Sequence, residues 1–265
     1  MSSFNPIAAS RAVRIEVLNV LGAFRDQIVL VGGWVPELLY PNRGHPGSLD
    51  VDLAVSRYAL GGNVYQTILQ RLLNAGYTHV TGPTRFTKPV AGVEEPVKVD
   101  LISGQYESGQ KSKSIQVDQL EVNTLRGTDL AFEACREIHV CGRMPDGTHN
   151  TVSVRIVEPQ AFILIKAFAL DERLKEKDAY DIYFVLRNYR PNVESLAGRV
   201  HGLLSNGLAR AGFDLLKLKS ATLQAVGPSW AAQMAAEQGE DHEQAQRSAY
   251  EYAQALFTAV DQSQR

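Results

Sequence analysis

Cysteine is scarce in this chain, with two in 265 residues, and what is missing narrows the reading before any motif does. Cys135 and Cys141 flank Arg136, Glu137, Ile138, His139 and Val140. That spacing matches no common zinc pattern and lacks a second ligand pair, so reduced structural thiols are expected rather than a disulfide framework or a metal knuckle. No apolar run reaches membrane-spanning length, and Met1 to Pro6 shows no basic region leading into an apolar core. The expectation is a cytoplasmic protein with no membrane partner. A surplus of positive charge is absent as well. The formal net charge is −2, so any nucleic-acid contact has to come from local basic patches. Internal repeats and low-complexity tracts are also missing.

What is present is a 45% hydrophobic chain, long for one domain and comfortable for two. Its organising stretch runs from Val29 to Ser56. Ile28-Val29-Leu30-Val31 reads as a buried strand, Gly32-Gly33 as a tight turn, and Trp34 to Leu39 as the start of a helix. Backbone N–H groups at such a start suit phosphate, although an ordinary turn reads the same way. The next strand is read over Ser48 to Ser56. Side chains alternate along it, so Asp50, Asp52 and Ala54 share one face while Val51, Leu53 and Val55 line the other. Paired carboxylates on a rigid strand suit a hard divalent cation such as Mg²⁺, which keeps positions open for phosphate oxygens.

Downstream, Lys98, Asp100 and Ile102 occupy one face of a further strand, with Val99 and Leu101 on the other. Asp100 is therefore displayed as Asp50 and Asp52 are. Three such carboxylates are what a two-ion phosphoryl-transfer site requires, and a lone exposed strand acid is the bland alternative. Between these strands, Gly82 to Pro89 interleaves Arg85 and Lys88 with Phe86. It is either a grip for a base or phosphate or a solvated turn. Lys111-Ser112-Lys113 is a small basic cluster, most simply a solvated loop.

Flanking segments read as packing elements: helices over 9–24, with Ser10 as a possible cap, and over 64–75, and strands near 77–80, 137–140 and 152–157. The character changes at Glu158-Pro159. From Ala161 to Leu170 the chain is apolar except for Lys166, whose amine either snorkels to solvent or meets a carboxylate or phosphate. A helix over 174–189 puts Asp178 and Asp181 on neighbouring positions of one face, where they have Arg173, Lys175 and Lys177 as possible partners. The remainder reads as helices, broken at Asn206-Gly207 and Gly227-Pro228. Arg199, His201, Arg210, Lys217 and Lys219 make it locally basic, fit either to hold an acceptor substrate or simply to form a helical support.

Gly32-Gly33, then Ser48-x-Asp50-x-Asp52, then Asp100 resemble the signature of the DNA polymerase beta-like nucleotidyltransferase superfamily. Lys166 and the run Lys177-Asp178-Ala179-Tyr180-Asp181 narrow the resemblance to its AbiEii-type toxin branch, whose members pair with antitoxins in bacteria. The motifs span about residues 28–187. The gap from Gly33 to Asp50 is longer than is common in the superfamily. The resemblance implies an α+β fold: a nucleotidyltransferase-type mixed β-sheet flanked by helices over 1–157, then a C-terminal helical bundle over 158–265, with the site in the cleft between them. It implies Mg²⁺ at Asp50, Asp52 and Asp100, and an NTP contacted by Gly32, Gly33, Ser48, Lys166 and Asp181. Asp178 joins the catalytic set, and the acceptor is a hydroxyl, expected at the 3′ end of tRNA. A small-molecule or protein hydroxyl remains an alternative acceptor, and a catalytically idle partner-binding module is a third reading.

Overall fold

The structure is a computed structural model that describes residues 5–60, 63–80, 84–104, 114–117, 120–173 and 175–263. Lys111-Ser112-Lys113, Gly82 and Pro83 lie outside the described residues. By chain contacts the protein divides into two units, one of Met1–Val35 with Gly47–Val157 and one of Pro36–Pro46 with Glu158–Arg265.

The first unit is built on strands β1 (Ile28–Val31), β2 (Val51–Val55), β3 (Thr78–Val80), β4 (Arg85–Lys88), β5 (Val97–Ser103), β6 (Ser114–Val117), β7 (Leu120–Thr124), β8 (Cys135–Arg143) and β9 (His149–Val157). They form one mixed sheet in the order β3-β4-β5-β2-β1-β9-β8. Strand β7 pairs with the end of β5, and β6 pairs with β7. All four residues of β1 are buried, as expected of an apolar strand in mid-sheet. Strands β2 and β5 run parallel, whereas β1 with β2 and β4 with β5 are antiparallel.

Helix α1 (Pro6–Val20) opens the unit; α2 (Val35–Leu39) passes into the second unit after Val35, and α3 (Arg57–Leu60), α4 (Asn63–Asn74) and α5 (Leu130–Glu133) follow in the first. The cap of α1 is Asn5, whose side chain accepts from the Ile7 N–H, with Pro6 at the first helical position. Ser10 is not a cap. It is buried inside α1 and accepts a hydrogen bond from the Trp34 indole at 3.1 Å, while the Arg14 guanidinium lies 4.4 Å from that ring.

Two further expectations change. The strand read over 48–56 begins only at Val51, which leaves Asp50 in the bend before it. The segment around Arg85 is not a turn: it is strand β4. Phe86 is buried and packs 5.2 Å from the His79 ring, and Lys88 donates to the Ala75 carbonyl at 2.6 Å.

The second unit contains α6 (Pro159–Arg173), α7 (Glu176–Asn188), α8 (Glu194–Leu203), α9 (Gly207–Lys219), α10 (Val226–Glu237) and α11 (His242–Gln262). Asn206 does not merely break the chain. Its side chain accepts from the Leu208 and Ala209 N–H groups and so starts α9. Gly227 and Pro228 lie in the first turn of α10, where proline costs no helical hydrogen bond. Three of the basic side chains meet acidic neighbours: Lys217 meets Asp261 at 2.8 Å, Lys219 meets Asp171 at 2.8 Å and Arg199 meets Glu158 at 2.9 Å. No helix among the described residues is long and apolar enough to cross a membrane.

Candidate functional site

Sheet register assembles the first group of side chains. Arg85 on β4 stands opposite Asp100 on β5, Asp100 opposite Asp52 on β2, and Asp52 opposite Val31 at the end of β1. Residues directly opposite one another in a sheet share a face, so one row crosses four strands as guanidinium, carboxylate, carboxylate and the approach to Gly32. Neighbouring strands lie about 4.8 Å apart, which brings the two acids side by side.

The turn after β1 is shaped by Asp52. Gly32 has φ +72°, and a Cβ built on it would lie 1.9 Å from Asp52 Oδ2. Glycine is therefore required twice, for its left-handed backbone and for the absence of a side chain. Gly32–Trp34 is a single 3₁₀ turn leading into the five-residue α2.

Asp100 is 7% exposed and is held by Arg85 through two parallel bonds, Nε to Oδ1 and Nη2 to Oδ2, each 2.7 Å. This is the fork-to-fork geometry that makes arginine–carboxylate pairs strong. The bond to Asp100 holds the Arg85 guanidinium above its ordinary pKa, and Asp50 and Asp52 add to the effect. All three acids thus act on one cation.

The donor chemistry here suits a hard divalent ion, since oxygen carboxylates are what Mg²⁺ prefers. Yet no group of three or more His, Cys, Asp or Glu side chains among the described residues is arranged to hold a metal. The Arg85 guanidinium occupies both oxygens of Asp100.

The second group lies in the helical unit. Lys166 on α6 neither snorkels nor stays unpaired, with its side chain 6% exposed and its ammonium 2.7 Å from both Asp178 Oδ1 and Asp181 Oδ2 on α7. Arg173 reaches Asp178 at 3.2 Å and Lys177 reaches Asp181 at 2.9 Å. Among the described residues, three cations thus share two carboxylates. Burial pushes the Asp181 carboxyl up, and Lys166 and Lys177 more than reverse it, so it is held well below the usual carboxylate range. Burial pushes the Lys166 ammonium down, and Asp178 and Asp181 more than offset this, leaving it above its ordinary value.

His45 completes the cluster from the segment that follows α2, its Nε2 2.9 Å from Asp181 Oδ1. Its ring lies 4.8 Å from Phe184 and 5.9 Å from Tyr180. Burial lowers its pKa, against the opposing pull of the Asp181 bond. Asp181 is ionised and can only accept, so the proton of the neutral ring belongs on Nε2.

Of the residues singled out by sequence, Asp52, Asp100 and Gly32 are adjacent in the first unit, and Asp50 and Ser48 precede β2 in the same unit. Gly33 follows Gly32 and is buried. Lys166, Asp178 and Asp181 form one buried cluster in the second unit. Sequence reasoning missed Arg85 as the partner of Asp100, and it missed His45. Arg85 lies in a run too short and polar to announce the strand that pairs it with Asp100. His45 lies in a loop without periodicity and carried no signal.

A mixed sheet flanked by helices and followed by a helical region is consistent with a nucleotidyltransferase-type fold. No protein-family model matches the chain, and no curated protein matches it. Among solved structures it is similar to JHP933 from Helicobacter pylori, at 16% identity over 96% of this chain and 95% of that one, with a TM-score of 0.43. It is also similar to a second H. pylori structure, provisionally named a nucleotidyltransferase, at 14% identity over 95% of this chain and 97% of that one, with the same TM-score of 0.43.

Proposed function

We propose that the chain is a nucleotidyltransferase that moves an NMP from an NTP to an acceptor hydroxyl, with pyrophosphate leaving. The observation that carries this reading is the row of Asp52 and Asp100 on adjacent strands, ending against the side-chain-free turn at Gly32. Like charges directly opposite in a sheet are destabilising, so their juxtaposition calls for a function.

Asp50 and Asp52 would hold Mg²⁺, which supplies charge neutralisation at the triphosphate and acidifies an attacking hydroxyl. The turn at Gly32 and Gly33 would offer backbone N–H groups to phosphate oxygens, and Ser48 stands two residues ahead of Asp50. Asp100 helps orient the attacking group. Lys166, with Asp178 and Asp181, is assigned to the nucleotide on the resemblance to the AbiEii-type branch. Its ammonium carries three N–H donors, so a third remains for a phosphate beyond the two carboxylates it meets. The same resemblance supports tRNA as acceptor, through its 3′ end, and a role as the toxin of a toxin–antitoxin pair.

A second reading is favoured by one observation, the bidentate hold of Arg85 on Asp100: a catalytically idle binding module keeps its acids neutralised in this manner. One assay separates the readings. The protein is incubated with each of the four labelled NTPs, with and without Mg²⁺, against total RNA, a small-molecule pool and a protein pool. Mg²⁺-dependent label in tRNA-sized RNA supports the proposal. Label in another pool changes the acceptor, and no transfer under any condition overturns the enzymatic reading.

A further inference from the structure

The hairpin of β8 and β9 leaves one of its faces open. Its register sets Glu137 opposite Arg155, His139 opposite Ser153, Cys141 opposite Thr151 and Arg143 opposite His149, and residues directly opposite share a face. Each of these side chains is exposed or half-buried. The other face is the covered one: Val140, Val152 and Val154 are buried, and a Cβ on Gly142 would lie 2.9 Å from Ile15 of α1. Leu30 on β1 stands opposite Ile156 on β9, and Val31 stands opposite Asp52. By alternation the open face therefore lies on the same side of the sheet as Asp52 and Asp100.

Its chemistry suits a polyanion. Arg143 donates to the Gly147 carbonyl at 3.0 Å, and Arg155 donates to the Asp26 carbonyl at 3.0 Å and to Cys135 Sγ at 2.9 Å. Among the described residues these two guanidiniums are bonded to neutral atoms and to no carboxylate. Arg25, just ahead of β1, is exposed and acts on Glu137 together with His139 and Arg155. Glu137 and Asp146 beside them are satisfied from within the chain: Glu137 accepts from the Ser153 hydroxyl at 2.6 Å, and Asp146 accepts from the Thr148 N–H and hydroxyl at 2.9 and 2.7 Å. The face from Glu137 to Arg143 and from His149 to Arg155 carries no large apolar or aromatic side chain. A protein partner needs such groups for an interface core, and single-stranded nucleic acid needs them for stacking. What remains is guanidinium, imidazole and hydroxyl, the groups that meet phosphate and ribose oxygens. Glu137 to Arg143 spans about 20 Å, enough to follow several consecutive phosphates.

We propose that the open face of the β8–β9 hairpin holds the sugar–phosphate backbone of a double-helical RNA stem. Arg25, Arg143 and Arg155 meet phosphates, and the Ser153 and Thr151 hydroxyls meet ribose and phosphate oxygens. Recognition is by shape and 2′-hydroxyl, as is general for duplex RNA, and is indifferent to sequence. The inference rests on the reading of RNA as the acceptor and deepens it: the stem is held on the side of the sheet that carries Asp52.

The test measures binding of a labelled RNA stem of about 16 base pairs to the full-length protein by fluorescence anisotropy across a salt series. NTP and Mg²⁺ are left out, so catalysis plays no part. Wild type is expected to bind the stem more tightly than a single strand or a DNA duplex of the same sequence. Arg25→Glu and Arg143→Glu are each expected to weaken binding and to reduce the slope of log affinity against log salt by about one. Arg247→Glu, the same charge change at an exposed position on α11, is expected to keep the wild-type affinity and slope. Thermal melts establish that each variant is folded; if Arg143→Glu is not, Arg143→Gln is measured in its place. Equal weakening by Arg247→Glu, undiminished binding by the folded hairpin variants, tighter binding of the single strand or of the DNA duplex, or no binding by wild type overturns the inference. A wild type that holds the stem through these arginines yet transfers no nucleotide leaves the inference standing and overturns the catalytic reading instead.

Discussion

A methyl group on Gly32 would stand 1.9 Å from the Asp52 carboxylate oxygen, so the turn after the first strand and the acid on its neighbour are one piece of geometry. Gly32→Ala has to push Asp52 aside and also holds an alanine at φ +72°. Left-handed backbone at a non-glycine residue costs about 1–3 kcal/mol. The expected result is a melting temperature lower by several degrees, together with loss of nucleotide transfer. Gly22→Ala, where nothing lies within 4 Å of the added carbon, is the control and leaves both unchanged.

Lys166 is as much a structural residue as a candidate ligand of phosphate. Replacing it by methionine leaves Asp178 and Asp181 buried with only the two partly exposed cations Arg173 and Lys177. Breaking a buried ion pair from one side costs about 3–5 kcal/mol. Urea unfolding is expected to show that loss for Lys166→Met. The double variant Lys166→Met with Asp181→Asn is expected to recover part of it, because the uncompensated charge is then gone.

His45 gives the fold a pH dependence of definite sign. Its folded pKa lies below the ordinary value of 6.5, so the unfolded chain binds a proton that the folded ring refuses. Its contribution is fully present above pH 6.5 and is lost as pH falls toward the folded value. Asp181, depressed, adds a second loss below the ordinary carboxylate range, near pH 4. Lys166, raised, keeps its contribution until pH climbs past its ordinary value. Unfolding free energy measured from pH 8 to 5 is expected to fall below pH 6.5 in wild type, and His45→Gln is expected to remove that decline.

Much of this arrangement was legible in the chain because alternation is local. Val99 and Leu101 buried beside Asp100, and Val51 and Leu53 beside Asp52, follow from a two-residue period alone. The register that sets Asp52 opposite Asp100 is not local, and neither is the pairing that brings Arg85 to Asp100. Strand β4 was hard to see because Arg85, Thr87 and Lys88 surround a single buried Phe86, too short and polar a run to announce a strand. The burial of Lys166 was anticipated only as one of several outcomes. Its pairing with two acids on the next helix, and with His45 behind one of them, depends on how α6 meets α7 and on a loop with no pattern of its own.

The cations of the helical unit give a negative prediction. Lys217 and Lys219 each lie 2.8 Å from an acid on a neighbouring helix, and partly exposed pairs of this kind contribute about 0–1 kcal/mol. Lys217→Ala and Lys219→Ala are expected to leave RNA retention in a filter-binding assay unchanged and to shift the melting temperature by no more than a few degrees.

The most direct test is the rate of labelled-nucleotide transfer by wild type and by Asp52→Asn, a change that keeps the shape packed against Gly32 and removes the charge. Both proteins are first matched for melting behaviour. With Mg²⁺ present, wild type is predicted to transfer and the folded variant to be slower by about a hundredfold or more. Transfer by Asp52→Asn at the wild-type rate, or by wild type undiminished in excess chelator, contradicts the account.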